Sequence, residues 1–263
     1  MKGIIGAICG DIIGSSHEFN PIKTKKFKLI DHKSTFTDDS ILTLAVAKWL
    51  MDDEQRTLST LTKLVQTFSR NYPGRGYGGR FMNWILSDNP QPYNSYGNGS
   101  AMRVSPVSWV ANSLDEVEEL ARKSAIISHD APEGIIGAQA TASAIYLART
   151  GSSKEEIKDY VEKTYDYNLS RKLDVIRPKY RFDETCQKSV PESIICFLES
   201  DNYEDTIRNA VSLGGDADTQ AAIGGSIASA YYNVPEEIVD MCVSLLDDNL
   251  KEILYDFNDF CIE

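Results

Sequence analysis

The sequence predicts an all-α protein. Apolar residues recur at helical spacing along most of the chain, and runs that alternate at strand spacing between hairpin turn residues are almost absent. After Asp38, residues Leu42, Ala45, Val46 and Trp49 fall at i+4, i+7, i+8 and i+11, on one face of a helix. Leu58 to Phe68 repeats the pattern with Leu61, Leu64, Val65 and Phe68. Ser113 opens another helix, with Glu116 three residues later as in a capping box. Pro132 stands early in a long helix that runs to about Arg149, and Gly151 ends it. Further amphipathic helices are expected over 153–163, 191–198, 203–212, 219–231 and 235–255. The stretches 17–36, 71–79, 88–100 and 165–187 escape the helical pattern, and such polar loops are where function is placed.

The chain has 263 residues, enough to bury a substantial core. No composition shift marks a boundary and no repeat of roughly 20–50 residues appears, so a single domain over 1–263 is expected. Hydrophobic residues make up 42% and charged residues 25%, which argues against disorder. The formal net charge of -12 leaves no basic footprint for nucleic acid or anionic lipid. A local basic pocket for one small phosphate ligand stays compatible with it. The five cysteines are odd in number and lie at no metal-finger or redox spacing, as expected of thiols in a reducing, cytoplasmic setting. No signal-peptide pattern and no run of about 18 apolar residues is present, so no membrane association is expected. Nothing in the pattern suggests an oligomer interface, and a monomer is expected.

Two acidic motifs carry the chemistry. Thr37-Asp38-Asp39 sits directly before an amphipathic helix. Asp or Thr there is ordinarily an N-cap, but a cap needs one short oxygen side chain and three stand in a row. Adjacent carboxylates repel unless cations lie between them. Gly214-Gly215-Asp216-Ala217-Asp218-Thr219 is the second case, again two carboxylates and a hydroxyl at a helix start. Four carboxylates and two hydroxyls suit a pair of hard divalent cations, Mg²⁺ or Mn²⁺ rather than zinc. Spacing alone leaves open whether the motifs meet in space. A third element is Gly10-Asp11-x-x-Gly14-x-x-x-Glu18-Phe19. Glu18 is either a solvated loop residue or one that faces a ligand, and Asp11 can equally be a helix-interior residue that secures the loop.

Other candidates are less marked. Gly97-Asn98-Gly99-Ser100 precedes a helix expected near Ala101, either a glycine-rich turn or a pocket for a pyrophosphate. Gly74 to Gly79 contains a GxGxxG pattern, but no strand precedes it and a dinucleotide fold is not implied. A loop approaching a diphosphate fits it better. His129 is one of three histidines. Tyr93 and Tyr96 offer an aromatic for stacking on adenine, or ordinary loop packing.

Taken together, these residues resemble the ADP-ribosylglycohydrolase family, which includes the dinitrogenase reductase activating glycohydrolase. The matching blocks span the chain: Gly6-Ala7 to Glu18-Phe19, Thr37 to Ser40, Gly76-Tyr77-Gly78, Gly97 to Arg103, Ser128-His129, Ser189 to Glu192, and Gly214 to Thr219. The resemblance implies an orthogonal multi-helix bundle with a dinuclear metal centre of two Mg²⁺ (or Mn²⁺) in a cleft. It implies Thr37, Asp38, Asp39, Asp216, Asp218 and Thr219 as metal ligands. It places Gly76, Tyr77, Gly78, Gly97, Asn98, Gly99, Ser100, Met102 and His129 about an ADP-ribose. The implied activity is hydrolysis of the glycosidic bond between ADP-ribose and an arginine- or serine-linked protein side chain, with ADP-ribose as product. Glu18 is the favoured general base, with Asp38 or Asp39 as the competing choice. Two alternatives remain at this stage: a hydrolase of another ADP-ribosyl conjugate (a small molecule or a nucleic acid), and a silent ADP-ribose-binding or structural relative.

Overall fold

The computed structural model describes residues 3–261, and every regular element among them is an α-helix. In chain order the helices are α1 (Ile5–Ser15), α2 (Asp38–Asp52), α3 (Leu58–Asn71), α4 (Gly79–Leu86), α5 (Gly99–Met102), α6 (Val107–Val110), α7 (Leu114–Ile126) and α8 (Pro132–Arg149). They continue with α9 (Lys154–Tyr165), α10 (Leu173–Ile176), α11 (Cys186–Leu198), α12 (Tyr203–Val211), α13 (Ala217–Tyr231), α14 (Glu236–Val243) and α15 (Asp248–Phe260). An isolated antiparallel bridge, Gly97 to Thr185, is the sole ladder contact among the described residues. Among the described residues, no helix is long and apolar enough to cross a membrane.

The centre of the bundle is the pair α1 and α13, both buried along most of their length. A helix apolar on every side belongs in the interior. Gly6, Gly10 and Gly14 recur every four residues on α1 and form one bare stripe against α13. A Cβ on Gly10 would lie 2.1 Å from the Ala221 carbonyl oxygen, and one on Gly14 2.4 Å from that of Ala217. Only glycine lets the two backbones approach this closely. Helices α2, α8, α11 and α12 pack around the pair. The crossing therefore brings the C-terminal end of α1 against the N-terminal end of α13.

Several sequence expectations are corrected. The helix expected over 235–255 is two, because Asp247 caps a new start by accepting the Leu250 N–H. The helix expected from Pro191 begins at Cys186 and holds Pro191 in its interior. The stretch 165–187 contains the short α10 and the first two residues of α11. Ser113 does cap α7, but Glu116 sends its carboxylate to Asn112 N–H and Arg56, so the reciprocal half of the box is missing. The complete capping box is Ser153 with Glu156 on α9. The helix expected near Ala101 is the single turn α5, too short to act as an anion-binding terminus of any strength.

Candidate active site

The first acidic motif is organised by Asp11. This buried carboxylate accepts from Thr37 N–H at 3.0 Å, Thr37 Oγ1 at 2.7 Å and Ser40 N–H at 3.1 Å, and from the Ser40 hydroxyl. Thr37 then caps α2, its Oγ1 accepting the Asp39 N–H at 3.2 Å. With the cap supplied by the threonine, neither aspartate is needed for it. Asp39 Oδ1 is buried with no hydrogen-bond partner. Asp39 Oδ2 accepts from Thr219 Oγ1 at 3.2 Å, which joins the two motifs.

At the second motif Asp216 occupies the N-cap position of α13 but makes no side-chain cap bond. Its Oδ2 accepts from Asn98 Nδ2 at 2.7 Å. Glu18, Asp216 and Asp218 each present a carboxylate oxygen within 4.8 Å of the others. Gly76 lies against Asp38. Its φ is +104°, and a Cβ there would stand 2.8 Å from Asp38 Oδ1. Any side chain would meet both strain and that carboxylate.

The electrostatics follow from this crowding. Burial, reinforced by Asp218 and the other carboxylates, holds Asp38 and Asp39 well above the usual carboxylate range. Burial and Asp216 do the same to Asp218. Asp216 is pushed up to about 6 by burial, against the lowering effect of its bonds to Asp218 and Asn98. Glu18 is pushed up to about 8 by burial and by Asp218. Five such groups ionise together only with cations among them. The unpartnered Asp39 oxygen and the clustered Glu18, Asp216 and Asp218 therefore fit hard divalent ions, for which carboxylate oxygens are the natural ligands.

These acids form the floor of a cleft of about 500 Å³. The model of the family described as ADP-ribosylglycohydrolase matches residues 1–259. The chain belongs to the ADP-ribosylglycohydrolase family. It is 27% identical to the mouse (Mus musculus) ADP-ribosylhydrolase ARH3, over 91% of this chain and 86% of that protein. It is 23% identical to the Pseudomonas putida ADP-ribosylarginine hydrolase Tri1, over 96% of this chain and 76% of that protein. A solved ADP-ribosylglycohydrolase-related protein complex superposes with a TM-score of 0.74 at 22% identity, over 95% of this chain and 92% of that one. That likeness supports the all-helical fold.

Within this family member, most residues expected from the sequence meet at the cleft. Glu18, Asp38, Asp39, Gly76, Gly78, Gly97, Asn98, Gly99, Met102, His129, Asp216, Asp218 and Thr219 all line it. Thr37, Tyr77 and Ser100 do not. Thr37 is turned to Asp11, Tyr77 packs beside Phe81, and the Ser100 hydroxyl donates to the Gly134 carbonyl at 2.6 Å. Tyr93 and Tyr96 both reach the cleft. Arg80, Phe182 and Glu184 also line it and were not anticipated. Arg80 lies over the Tyr93 ring, 4.8 Å from its centroid. Phe182 and Glu184 come from the loop before α11, which the Gly97–Thr185 bridge draws to the cleft. No local pattern in the sequence signals that contact.

Proposed function

We propose that this protein is a metal-dependent hydrolase that cleaves the glycosidic bond between ADP-ribose and a modified protein side chain, arginine- or serine-linked. The observation that carries the reading is the convergence of two over-acidic helix starts, sealed by the Thr219–Asp39 bond, on the floor of one cleft. The named activities of the ARH3 and Tri1 relatives support the substrate class.

Asp38, Asp39, Asp216, Asp218 and Thr219 would hold two Mg²⁺ or Mn²⁺ ions, with Thr37 setting the first pair through its cap. When bound, such ions supply positive charge and Lewis acidity at the reacting ribose. Asn98 holds Asp216 in register through its amide. Glu18 stands at the cleft beside Asp218 and is the general base, taking a proton from the attacking water. Its raised pKa places it near neutrality, where a carboxyl both accepts and returns a proton. Cations beside it would lower that value. The transition state has oxocarbenium character on the ribose, as in other glycoside hydrolysis. Gly97 and Gly99 leave the space next to His129 open for the rest of the nucleotide.

The test is release of ADP-ribose from arginine-linked and serine-linked ADP-ribosyl peptides, with and without Mg²⁺ or Mn²⁺. Metal-dependent release from one of the two is expected. No release from either peptide under any metal condition would remove this function.

A further inference from the structure

We infer that Arg103 and Ser128 form a positioning relay that fixes His129 as the neutral tautomer with its proton on Nε2, presented as a donor to an oxygen of the bound nucleotide. The ligand half of this statement rests on the ADP-ribose reading above. The tautomer half does not.

Arg103 is fully buried, makes no ion pair among the described residues, and leaves Nε and Nη1 without partners. Its Nη2 donates to the Ser124 carbonyl at 2.8 Å and to Ser128 Oγ at 3.0 Å. A guanidinium has donors and no acceptor. Burial lowers its pKa to about 10, so it stays charged at neutral pH. Ser128 Oγ is therefore the acceptor in that bond.

Ser128 has one hydroxyl proton to place. The other partner of its oxygen is His129 Nδ1, at 2.8 Å. The oxygen's two lone pairs allow it to accept from both Arg103 and the ring, but the hydroxyl proton would then be left without an acceptor in a buried place, so the hydroxyl donates to the ring and Nδ1 is the acceptor. In a neutral imidazole the proton then sits on Nε2. The charged ring is disfavoured, because it would set a second cation beside an unpaired guanidinium in a buried place. In accord with this, burial and the charges of Arg103 and Arg80 hold His129 well below its ordinary range.

Nε2 faces the glycine loop at the cleft. A Cβ on Gly99 would lie 3.0 Å from it, and one on Gly97 3.7 Å. Both glycines line the cleft, as do His129 and Arg103. A fixed N–H donor with a buried positive charge behind it selects an acceptor atom, such as a diphosphate or ribose oxygen, and rejects a donor such as an amino group. Arg103 and Ser128 act through the histidine and not on the reacting atoms.

The test is the ring ¹⁵N spectrum of His129 in the full chain at neutral pH, without ligand. The chain has three histidines, so a His129→Gln spectrum assigns the resonances. A neutral ring with hydrogen on Nε2 is expected. Hydrogen on Nδ1, or an imidazolium, would overturn the relay, and this result needs no variant to fold. In Ser128→Ala the Nε2 preference is expected to give way to a mixture while the His17 and His32 signals stay in place. Arg103→Lys, which keeps a charged donor, is expected to retain the Nε2 form. An unchanged tautomer in Ser128→Ala would overturn the role of the serine. With ADP-ribose as the probe, Ser128→Ala is expected to bind about tenfold more weakly. An intact Nε2 tautomer in a wild-type protein that binds no ADP-ribose would support the relay and remove the substrate reading.

Discussion

Thr219 Oγ1 donates to Asp39 Oδ2 at 3.2 Å, so two side chains 180 positions apart in the chain share one hydrogen bond on the floor of the cleft. The bond ties the start of α2 to the start of α13, and the remaining acids are arrayed around it. The site is thus a junction between helix ends, and its integrity depends on how those ends are held.

Asp11 is the strongest of those restraints. It serves two backbone N–H groups and two hydroxyls in a buried place. Asp11→Ala is expected to destabilise the fold by about 3 kcal/mol or more, since each orphaned buried donor costs about 1–3 kcal/mol. Thermal or urea unfolding measures it. A loss within about 0.5 kcal/mol, the range of ordinary surface substitutions, would show that water replaces the carboxylate there.

The glycine stripe on α1 makes a second prediction. Gly14→Ala would place a methyl 2.5 Å from the Asp218 Cα, and α1 and α13 must separate to accept it. Overpacking of this kind costs about 1–3 kcal/mol. The same separation displaces Asp218 at the start of α13, so weaker Mn²⁺ binding by calorimetry is expected with the loss of stability. Gly78→Ala meets nothing within 4 Å and is expected to leave the melting temperature in place.

Removal of divalent ions should show in the pH dependence of stability. A carboxyl whose folded pKa lies above its unfolded value adds stability that is full below the unfolded pKa and lost as pH rises through the folded one. Glu18 is raised to about 8 and Asp216 to about 6. In chelator, the melting temperature is therefore expected to fall between about pH 5 and about pH 8. His129, held below its ordinary range, contributes in the opposite sense as pH falls below about 6.5. Glu18→Gln isolates the carboxyl contribution, because its slope should be shallower than that of the wild type. Saturating Mg²⁺ or Mn²⁺ should flatten or reverse the trend. A wild-type slope that is the same with and without the ions would contradict cation binding among these acids.

The two kinds of acid should separate in kinetics. Asp216→Ala is expected to lose divalent-ion binding and, with it, at least about 100-fold in turnover, more than the loss typical of an outer-shell partner. Glu18→Gln should keep the ions and ADP-ribose affinity while turnover falls by about 10²–10⁴-fold, the usual contribution of a general base. A Glu18→Gln enzyme as fast as the wild type would transfer the base role to Asp38 or Asp39.

Much was legible in the sequence because helix formation and capping are local. The periodicity after Asp38, the excess of carboxylate at two helix starts and the family resemblance together implied the all-α fold and most of the residues lining the cleft. Boundaries went astray where a cap competed with a continuing apolar pattern, as at Asp247. What only the tertiary structure decided is the meeting of distant parts. The Gly6, Gly10 and Gly14 stripe sets the depth of the α1–α13 crossing, and that crossing places Asp11 and Glu18 against the two motifs. At α2 the capping job falls to Thr37, which leaves one oxygen of Asp39 unpartnered in the cleft. The Arg103–Ser128–His129 chain has the same character. Spacing along a helix records which face a residue occupies, whereas a hydrogen bond's direction depends on which donors and acceptors the rest of the fold brings to the shared group.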